Sequence, residues 1–493
     1  MITDIISYKK IVNEIAVIAL PSALFFFCLI AQQSILLGFI SKYYKDDKEK
    51  QQMVINAVGN SNLYLNCTLA SVVIGLVAGF NVLGGNAIGQ KRYYLFGIYF
   101  HRAYVVCYSV SFFIIVIHNF TIKYGLQFLG AVEKANEYAV RYSRISMYFV
   151  LFEILFNTSY RYLNMAKKSY ITIIVLILST SIHPLWCYLF IFKLNLGIEG
   201  AAISINISQF LTGISLVLYI IIKKPIPNTI FCFNKNSFSS IKAYFKIAIP
   251  SMLLLCCEWW AFELQQVVII YSGKSNWKSE LNIQIVCANI FSVLYSINIG
   301  YITSSSILCS KFIAQSKINS FRKTFRINSL LGLITIVIVS IIFYLLSNKI
   351  FPLFSDDKIV IDTGIDTLPF ILFTIILQNI KCSLQGTLIG MRLQIFASIV
   401  CGIIYYSLTF GLSFLFVRYL SFGVKGIWLS WIITYSIVNV IYCLKIYLSD
   451  INIIIKNTLI KICKDQAALE NVDKNKDNIY KIIDDNVLKE SLE

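Results

Sequence analysis

The chain has 493 residues, 57% hydrophobic and only 14% charged, and its apolar residues come in long blocks, which excludes a soluble globular domain and places it in a lipid bilayer. Its formal net charge of +18 would suit a nucleic-acid partner if Lys and Arg were gathered on one face. They are dispersed among loops, which excludes nucleic acid and points to anionic lipid headgroups.

Blocks of about 20 apolar residues cross the hydrocarbon core, and twelve are present, at 14–39, 62–83, 98–119, 142–163, 170–192, 197–222, 244–271, 281–308, 327–347, 364–390, 394–417 and 423–447. The expected fold is an all-α polytopic membrane protein. The first block follows Tyr8-Lys9-Lys10 and is too long for a cleavable signal, so it serves as its own insertion signal. Lys91, Arg92, Lys167, Lys168, Lys223, Lys224, Lys311 and Lys317 fall on one side, which orients both termini to the cytoplasm. The thirteen cysteines lie mainly in apolar spans without metal-ligand spacing and read as small buried hydrophobes.

Three landmarks recur at nearly constant displacement. Ile18-Ala19-Leu20-Pro21-Ser22 returns as Ile247-Ala248-Ile249-Pro250-Ser251, displaced by 229; Ile88-Gly89-Gln90-Lys91 returns as Ile313-Ala314-Gln315-Ser316, displaced by 225; Leu196-Gly197-Ile198-Glu199-Gly200 returns as Phe422-Gly423-Val424-Lys425-Gly426, displaced by 226. Six spans per unit, an even number, predict two six-helix lobes related by a pseudo-two-fold axis along the membrane normal, with a cleft between them. The expected divisions are 1–222, a cytoplasmic linker at 223–242 rich in Ser, Asn, Pro and Lys, 243–449, and a charged cytoplasmic tail at 450–493 that starts as a short surface helix and continues disordered. Pro21 and Pro250 lie inside spans, where each removes a backbone hydrogen bond. They are candidate helix hinges, a static kink being the alternative.

Two acids interrupt the seventh span, in Glu258-Trp259-Trp260-Ala261-Phe262-Glu263. An ionisable side chain at membrane depth costs roughly 2.5 to 3.5 kcal/mol on insertion scales, so it marks a functional site by default. Five residues apart on one helix, the two point about 140° away from each other. One is expected to line the cleft and the other to face polar groups inside a lobe; spacing does not say which. An acid starved of water holds either a proton or a cation, and competition between them suffices for antiport. Trp259 and Trp260 offer ring faces to an organic cation at about 0.5 to 2 kcal/mol each, and Tyr295, Tyr405 and Tyr406 add to that surface; structural pairing of one acid and lipid-facing tryptophans are the alternative. Among weaker signals, Glu153 is left open, Lys381 reads as structural, Asn289 and Gln378 read equally as helix–helix glue, and His101, His118 and His183 read as packing residues. There is no G-x-S-x-G, H-E-x-x-H, Walker A or C-x-x-C motif, so no enzyme, metal site or cofactor is expected.

The chain resembles the multidrug and toxic compound extrusion (MATE) transporters, in their eukaryotic branch, over residues 14–447. The resemblance is carried by Gly59-Asn60-Ser61, Gly75-Leu76, Gly85-Asn86-Ala87-Ile88-Gly89-Gln90, Leu95-Phe96-Gly97-Ile98-Tyr99, Arg102-Ala103, Arg161-Tyr162-Leu163, Leu196 to Ala202, Ile207-Ser208-Gln209 and, most specifically, the Glu258 to Glu263 run. It implies a twelve-helix exporter that exchanges a proton, sodium in some relatives, for an organic solute by alternating access. Glu258 and Glu263 match the family's seventh-helix glutamates, implicated in proton and substrate binding. Asn289 matches a position that is Glu in animal members and Asn in plant members. Three departures stand out: Gln378 where the tenth helix usually has an acid, Asn81 and Asn86 for the usual Glu and Gln of the second helix, and no proline before Arg161.

The resulting expectation is a monomeric exporter in a plasma, vacuolar or endosomal membrane, coupled to protons rather than sodium and carrying an organic solute, cationic by this reading. Its proton and substrate site is expected to comprise Glu258, Glu263, Trp259, Trp260, Asn289, Tyr295 and Gln378. The departure at Gln378 supports an alternative, a non-transporting scramblase or receptor on the same scaffold.

Overall fold

The computed structural model describes residues 8–128, 133–233, 235–238, 241–272, 277–353 and 358–469. Among these, every regular element is a helix. In chain order they are α1 (Tyr8–Tyr43), α2 (Lys48–Leu65), α3 (Ser71–Gly89), α4 (Tyr93–Phe128), α5 (Glu133–Ser146), α6 (Phe149–Met165), α7 (Ser169–Cys187), α8 (Gly197–Lys223), α9 (Lys235–Phe238), α10 (Ile241–Ile270), α11 (Trp277–Ala314), α12 (Ile318–Leu345), α13 (Ser347–Ile350), α14 (Lys358–Gly390), α15 (Gln394–Ile404), α16 (Phe410–Phe414), α17 (Val424–Leu448) and α18 (Ile451–Leu469). A π-helical turn at Asn66–Ala70 joins α2 to α3, and others at Tyr405–Thr409 and Leu415–Tyr419 flank α16.

Lipid supplies no hydrogen bonds, so a spanning chain must satisfy its backbone internally, which helices do. Among the described residues, eleven helical runs are long and apolar enough to cross a bilayer. The expected span at 142–163 is not one helix: α5 ends at Ser146 and α6 begins at Phe149. The expected 62–83 span is part of a 42-residue helical run from Lys48 to Gly89. The chain is an all-α polytopic membrane protein.

Helix α12 shows how these helices sort their faces. Leu330, Ile334, Ile338, Ile341 and Leu345 are exposed, whereas Thr324, Asn328, Gly332 and Ser340 are buried. The apolar stripe faces outward because lipid is as apolar as the side chains, while polar groups turn inward to bond neighbouring helices. Asn328 does so, donating to Ser383 Oγ at 2.9 Å.

The duplication read from the sequence is also written in the backbone. Left-handed φ values occur at Lys91 and Ser316, at Lys167 and Arg392, at Asn195 and Ser421, and at Gly197 and Gly423, pairs displaced by 225, 225, 226 and 226. In the first two pairs the following amide reaches back five residues, from Arg92 to Ala87 O, Lys317 to Phe312 O, Lys168 to Leu163 O and Leu393 to Leu388 O. These are Schellman-type helix ends, which satisfy carbonyls that the ladder leaves open. Next to the paired prolines Pro21 and Pro250, Ser22 Oγ donates to Ile18 O at 2.8 Å and Ser251 Oγ donates to Ile247 O at 3.0 Å.

The chain divides into two compact units. Unit 1 comprises Met1–Ala23, Asn81–Phe96 and Trp260–Glu493; unit 2 comprises Leu24–Phe80 and Gly97–Trp259. Their boundaries fall inside α1, α3, α4 and α10 rather than at the 223–242 segment. That segment is docked within unit 2: the Tyr162 and Thr229 hydroxyls lie 2.6 Å apart, and Arg102 Nη2 donates to Asn236 O at 3.2 Å. The tail begins as the expected helix, α18, whose Ile455, Thr458 and Ile462 are buried on one face. The disorder expected beyond it concerns residues 470–493, which lie outside the described residues.

Candidate functional site on α10

Helix α10 runs unbroken from Ile241 to Ile270 through Pro250. Its first half packs on α3 in unit 2. Tyr244 Oη donates to Leu76 O at 3.1 Å, and Cys256 Sγ lies 3.5 Å from Ser71 Oγ. Between these contacts, a Cβ added to Gly75 would stand 2.5 Å from Met252 Cα, so glycine is what lets the two backbones meet. Glu258, two residues beyond Cys256, is 3% exposed. Trp259 is half-buried, and its indole N–H is buried with no acceptor among the described residues.

The unit boundary falls at the next peptide bond, so Glu258 and Trp259 belong to unit 2 and Trp260 and Glu263 to unit 1. Trp260 is 40% exposed. Glu263 is half-buried. It follows Phe262, which stacks on Phe291 of α11 at 5.0 Å and 18° and meets Trp428 and Trp431 of α17, each at 6.3 Å. Two residues on, Gln265 Oε1 accepts from Ser413 Oγ at 2.9 Å. The second half of α10 is thereby fixed to α11, α16 and α17 within unit 1.

The remaining expected residues separate. Tyr295 is drawn into the aromatic cluster, parallel to Phe291 at 6.3 Å and 7°. Asn289 is exposed on α11. Gln378 is buried in a polar ladder between α11 and α14, where Asn298 Nδ2 lies 3.5 Å from Gln378 Oε1 and Asn379 Nδ2 donates to Asn298 Oδ1 at 2.7 Å. Tyr405 stacks edge-on against Trp431 and carries the Lys381 ammonium over its ring at 5.9 Å, whereas Tyr406 is 37% exposed. Pro21 lies in unit 1 and Pro250 in unit 2.

The histidines pack as expected. His183 Nδ1 pairs with Ser208 Oγ at 2.7 Å, His118 Nε2 with Thr68 Oγ1 at 2.7 Å, and His101 stacks on Phe233 at 4.3 Å. The sequence reading missed Phe291, Trp428 and Trp431. The available signal was the pair of tryptophans three apart on one helix face, together with Ser430 and Thr434.

The family model described as MatE matches residues 21–189 and 250–415. This chain belongs to the MatE family. The two matched stretches begin at Pro21 and Pro250, so the family pattern is met once in each half of the chain. Among curated relatives, Protein DETOXIFICATION 16 of Arabidopsis thaliana is 23% identical over 376 residues, covering 76% of this chain and 77% of that protein. Protein DETOXIFICATION 1 of the same plant is 26% identical, covering 70% and 71%. Multidrug and toxin extrusion protein 1 of Homo sapiens is 26% identical over 249 residues, 50% of this chain and 43% of its own length. The crystal structure of the eukaryotic MATE transporter AtDTX14 superposes with a TM-score of 0.84 at 20% identity, covering 92% of this chain and 98% of that one. The fold is therefore that of MATE transporters.

Proposed function

We propose that this protein is a secondary active exporter that exchanges protons for organic solutes, cations by preference, by alternating access. The observation that carries the reading is the pair of acids on α10, Glu258 and Glu263, assigned to different units of a MatE-family chain. Family membership and the names of its relatives, which speak of detoxification and of multidrug and toxin extrusion, support export. The acids support the coupling ion: an acid in a membrane-spanning helix has a charge to neutralise, and a proton or a cationic solute does so.

In this reading Glu258, buried in unit 2, exchanges the proton, and Glu263, beside the aromatic cluster of unit 1, meets the solute. A ring face such as that of Trp260, 40% exposed, attracts an organic cation by about 0.5 to 2 kcal/mol, while Phe291, Trp428 and Trp431 are buried as packing. Gln378, neutral and bonded to Asn298, stabilises α11 against α14. The protein acts as a monomer in a plasma, vacuolar or endosomal membrane with both termini cytoplasmic. That orientation rests on Lys91, Lys167, Lys224 and Lys317 at helix ends on one side.

The test is transport in proteoliposomes. An imposed pH gradient drives counter-movement of a lipophilic cation with the native protein, and Glu258→Gln abolishes the gradient dependence. Equal rates in the two proteins refute the assignment of Glu258.

A further inference from the structure

Glu153 takes no part in the reading above, yet it is a carboxyl held at membrane depth. It lies on α6, twelve residues before Met165, about 18 Å along the helix axis and past the middle of a hydrocarbon core of roughly 30 Å. The residue is 3% exposed, and its Oε2 is fully buried with no hydrogen-bond partner among the described residues. One turn on, Asn157 Nδ2 bonds back to Glu153 O at 3.2 Å and lies beside the carboxyl, while Asn157 Oδ1 is likewise buried without a partner. Two acceptor oxygens one turn apart, each lacking a donor, call for a hydrogen.

The helices packed around α6 supply no cation to this pair. On α4, Tyr108 Oη donates to Leu151 O at 3.0 Å and the Tyr104 hydroxyl meets Ser159 at 2.9 Å, with Cys107 between them; the buried cation of that helix, Arg102, donates instead to Asn236 O at 3.2 Å and lies against the Tyr99 ring. On α1, Phe25 stacks on Phe156 at 4.2 Å, and Cys28 is that helix's buried titratable group in unit 2. On α7, His183 is engaged with Ser208 and Cys187. On α8, Gly213 lies against Phe152 O, and the residues beside it do not titrate. Arg161, two turns along α6, lies against the Tyr160 ring at 5.2 Å, and no ion pair joins it to Glu153 among the described residues. The crossing is also interrupted at Met147 and Tyr148, one turn before Glu153.

We propose that Glu153 is a proton-binding site of unit 2, separate from the acids of α10, with Asn157 Oδ1 accepting from the protonated carboxyl. The proton comes from water and returns to it as the carboxylate re-forms. The binding itself is independent of the exporter reading; only the consequence, a further proton available to the transport cycle, rests on it.

Infrared difference spectra of the full chain in liposomes, taken between neutral and alkaline pH in a Glu258→Gln, Glu263→Gln background, test the site without any substrate. A protonated-carboxyl band is expected at neutral pH, losing at least half its intensity when Glu153→Gln is added and restored by Glu153→Asp. A band untouched by Glu153→Gln, or none in the background, overturns the proposal. Should Glu153→Gln fail to fold, Asn157→Ala in the same background is expected to shift the band, and an unmoved band overturns it equally. Failure of pH-driven transport would leave this result standing, so the two readings are separable.

Discussion

Trp428 and Trp431 are fully buried on α17, and neither indole N–H has an acceptor among the described residues. Their contribution is therefore shape and ring area. Trp431→Ala is expected to destabilise the protein by about 3 kcal/mol through the cavity it leaves, whereas Trp431→Phe costs less, because it leaves a smaller cavity and no hydrogen bond is lost. Thermal unfolding in detergent measures both, and equal losses would show the indole N–H to be engaged. The α10 acids differ at the same scale. Glu258 lies among the buried contacts of unit 2 and Glu263 is half-buried in unit 1. Glu263→Gln is expected to weaken binding of a cationic solute at fixed pH, while Glu258→Gln removes the response to pH. Radioligand binding at two pH values separates these effects, and identical profiles for the two variants would dissolve the division of roles. The acids were legible in the sequence because charge inside an apolar block stands out. Phe291 was not, because an aromatic residue in a membrane helix looks the same whether it faces lipid or a neighbour; for Trp428 and Trp431 the spacing of three was the one signal.

Among elements, α10 changes partners along its length, from α3 in unit 2 to α11, α16 and α17 in unit 1. The approach to α3 depends on Gly75, whose absent side chain would meet Met252 Cα at 2.5 Å. Gly75→Ala forces backbone apart from backbone, and overpacking of this kind costs about 1–3 kcal/mol. Gly59→Ala in α2 has nothing within 4 Å of the new Cβ and is the control. Unfolding midpoints compare them, and equal shifts would argue against the close contact. The interruption of the fourth crossing at Met147 and Tyr148 was not legible, because those residues are apolar or aromatic and carry no Gly or Pro signal. The four pairs of positive-φ residues show the reverse. Most are occupied by Lys, Asn, Ser or Arg, residues that announce a turn weakly, yet the constant displacement exposes them once the duplication is recognised.

For the molecule as a whole, unit 1 is assembled from three separate stretches of chain. Lys311 Nζ meets Glu14 Oε2 at 2.9 Å with the side chains 17% and 12% exposed. Gln90 donates to Ala314 O, and Ser310 Oγ donates to Asn81 O at 3.4 Å. The cost of breaking such a half-sheltered pair lies between the roughly 1 kcal/mol of an exposed pair and the roughly 3–5 kcal/mol of a buried one. Lys311→Glu is expected to lower folded yield, and Glu14→Lys in the same chain to restore it. Size-exclusion recovery reads this outcome; absence of rescue would show that the pair does not join the segments.

The sequence by itself determined the membrane setting, the placement of most crossings, the twofold repetition and the acids of α10, since each is a pattern along the chain. Only the tertiary structure decided that Glu258 and Glu263 fall in different units, that aromatic rings from α11 and α17 gather beside Phe262, and that Glu14 meets Lys311. In a bilayer the outer surface and the core are both apolar, so hydrophobic periodicity cannot tell them apart. Which faces meet depends on close approach between segments as far apart in the chain as Glu14 and Lys311, 297 residues, or Arg92 and Cys463, 371 residues, and that is settled by packing and hydrogen bonding in three dimensions.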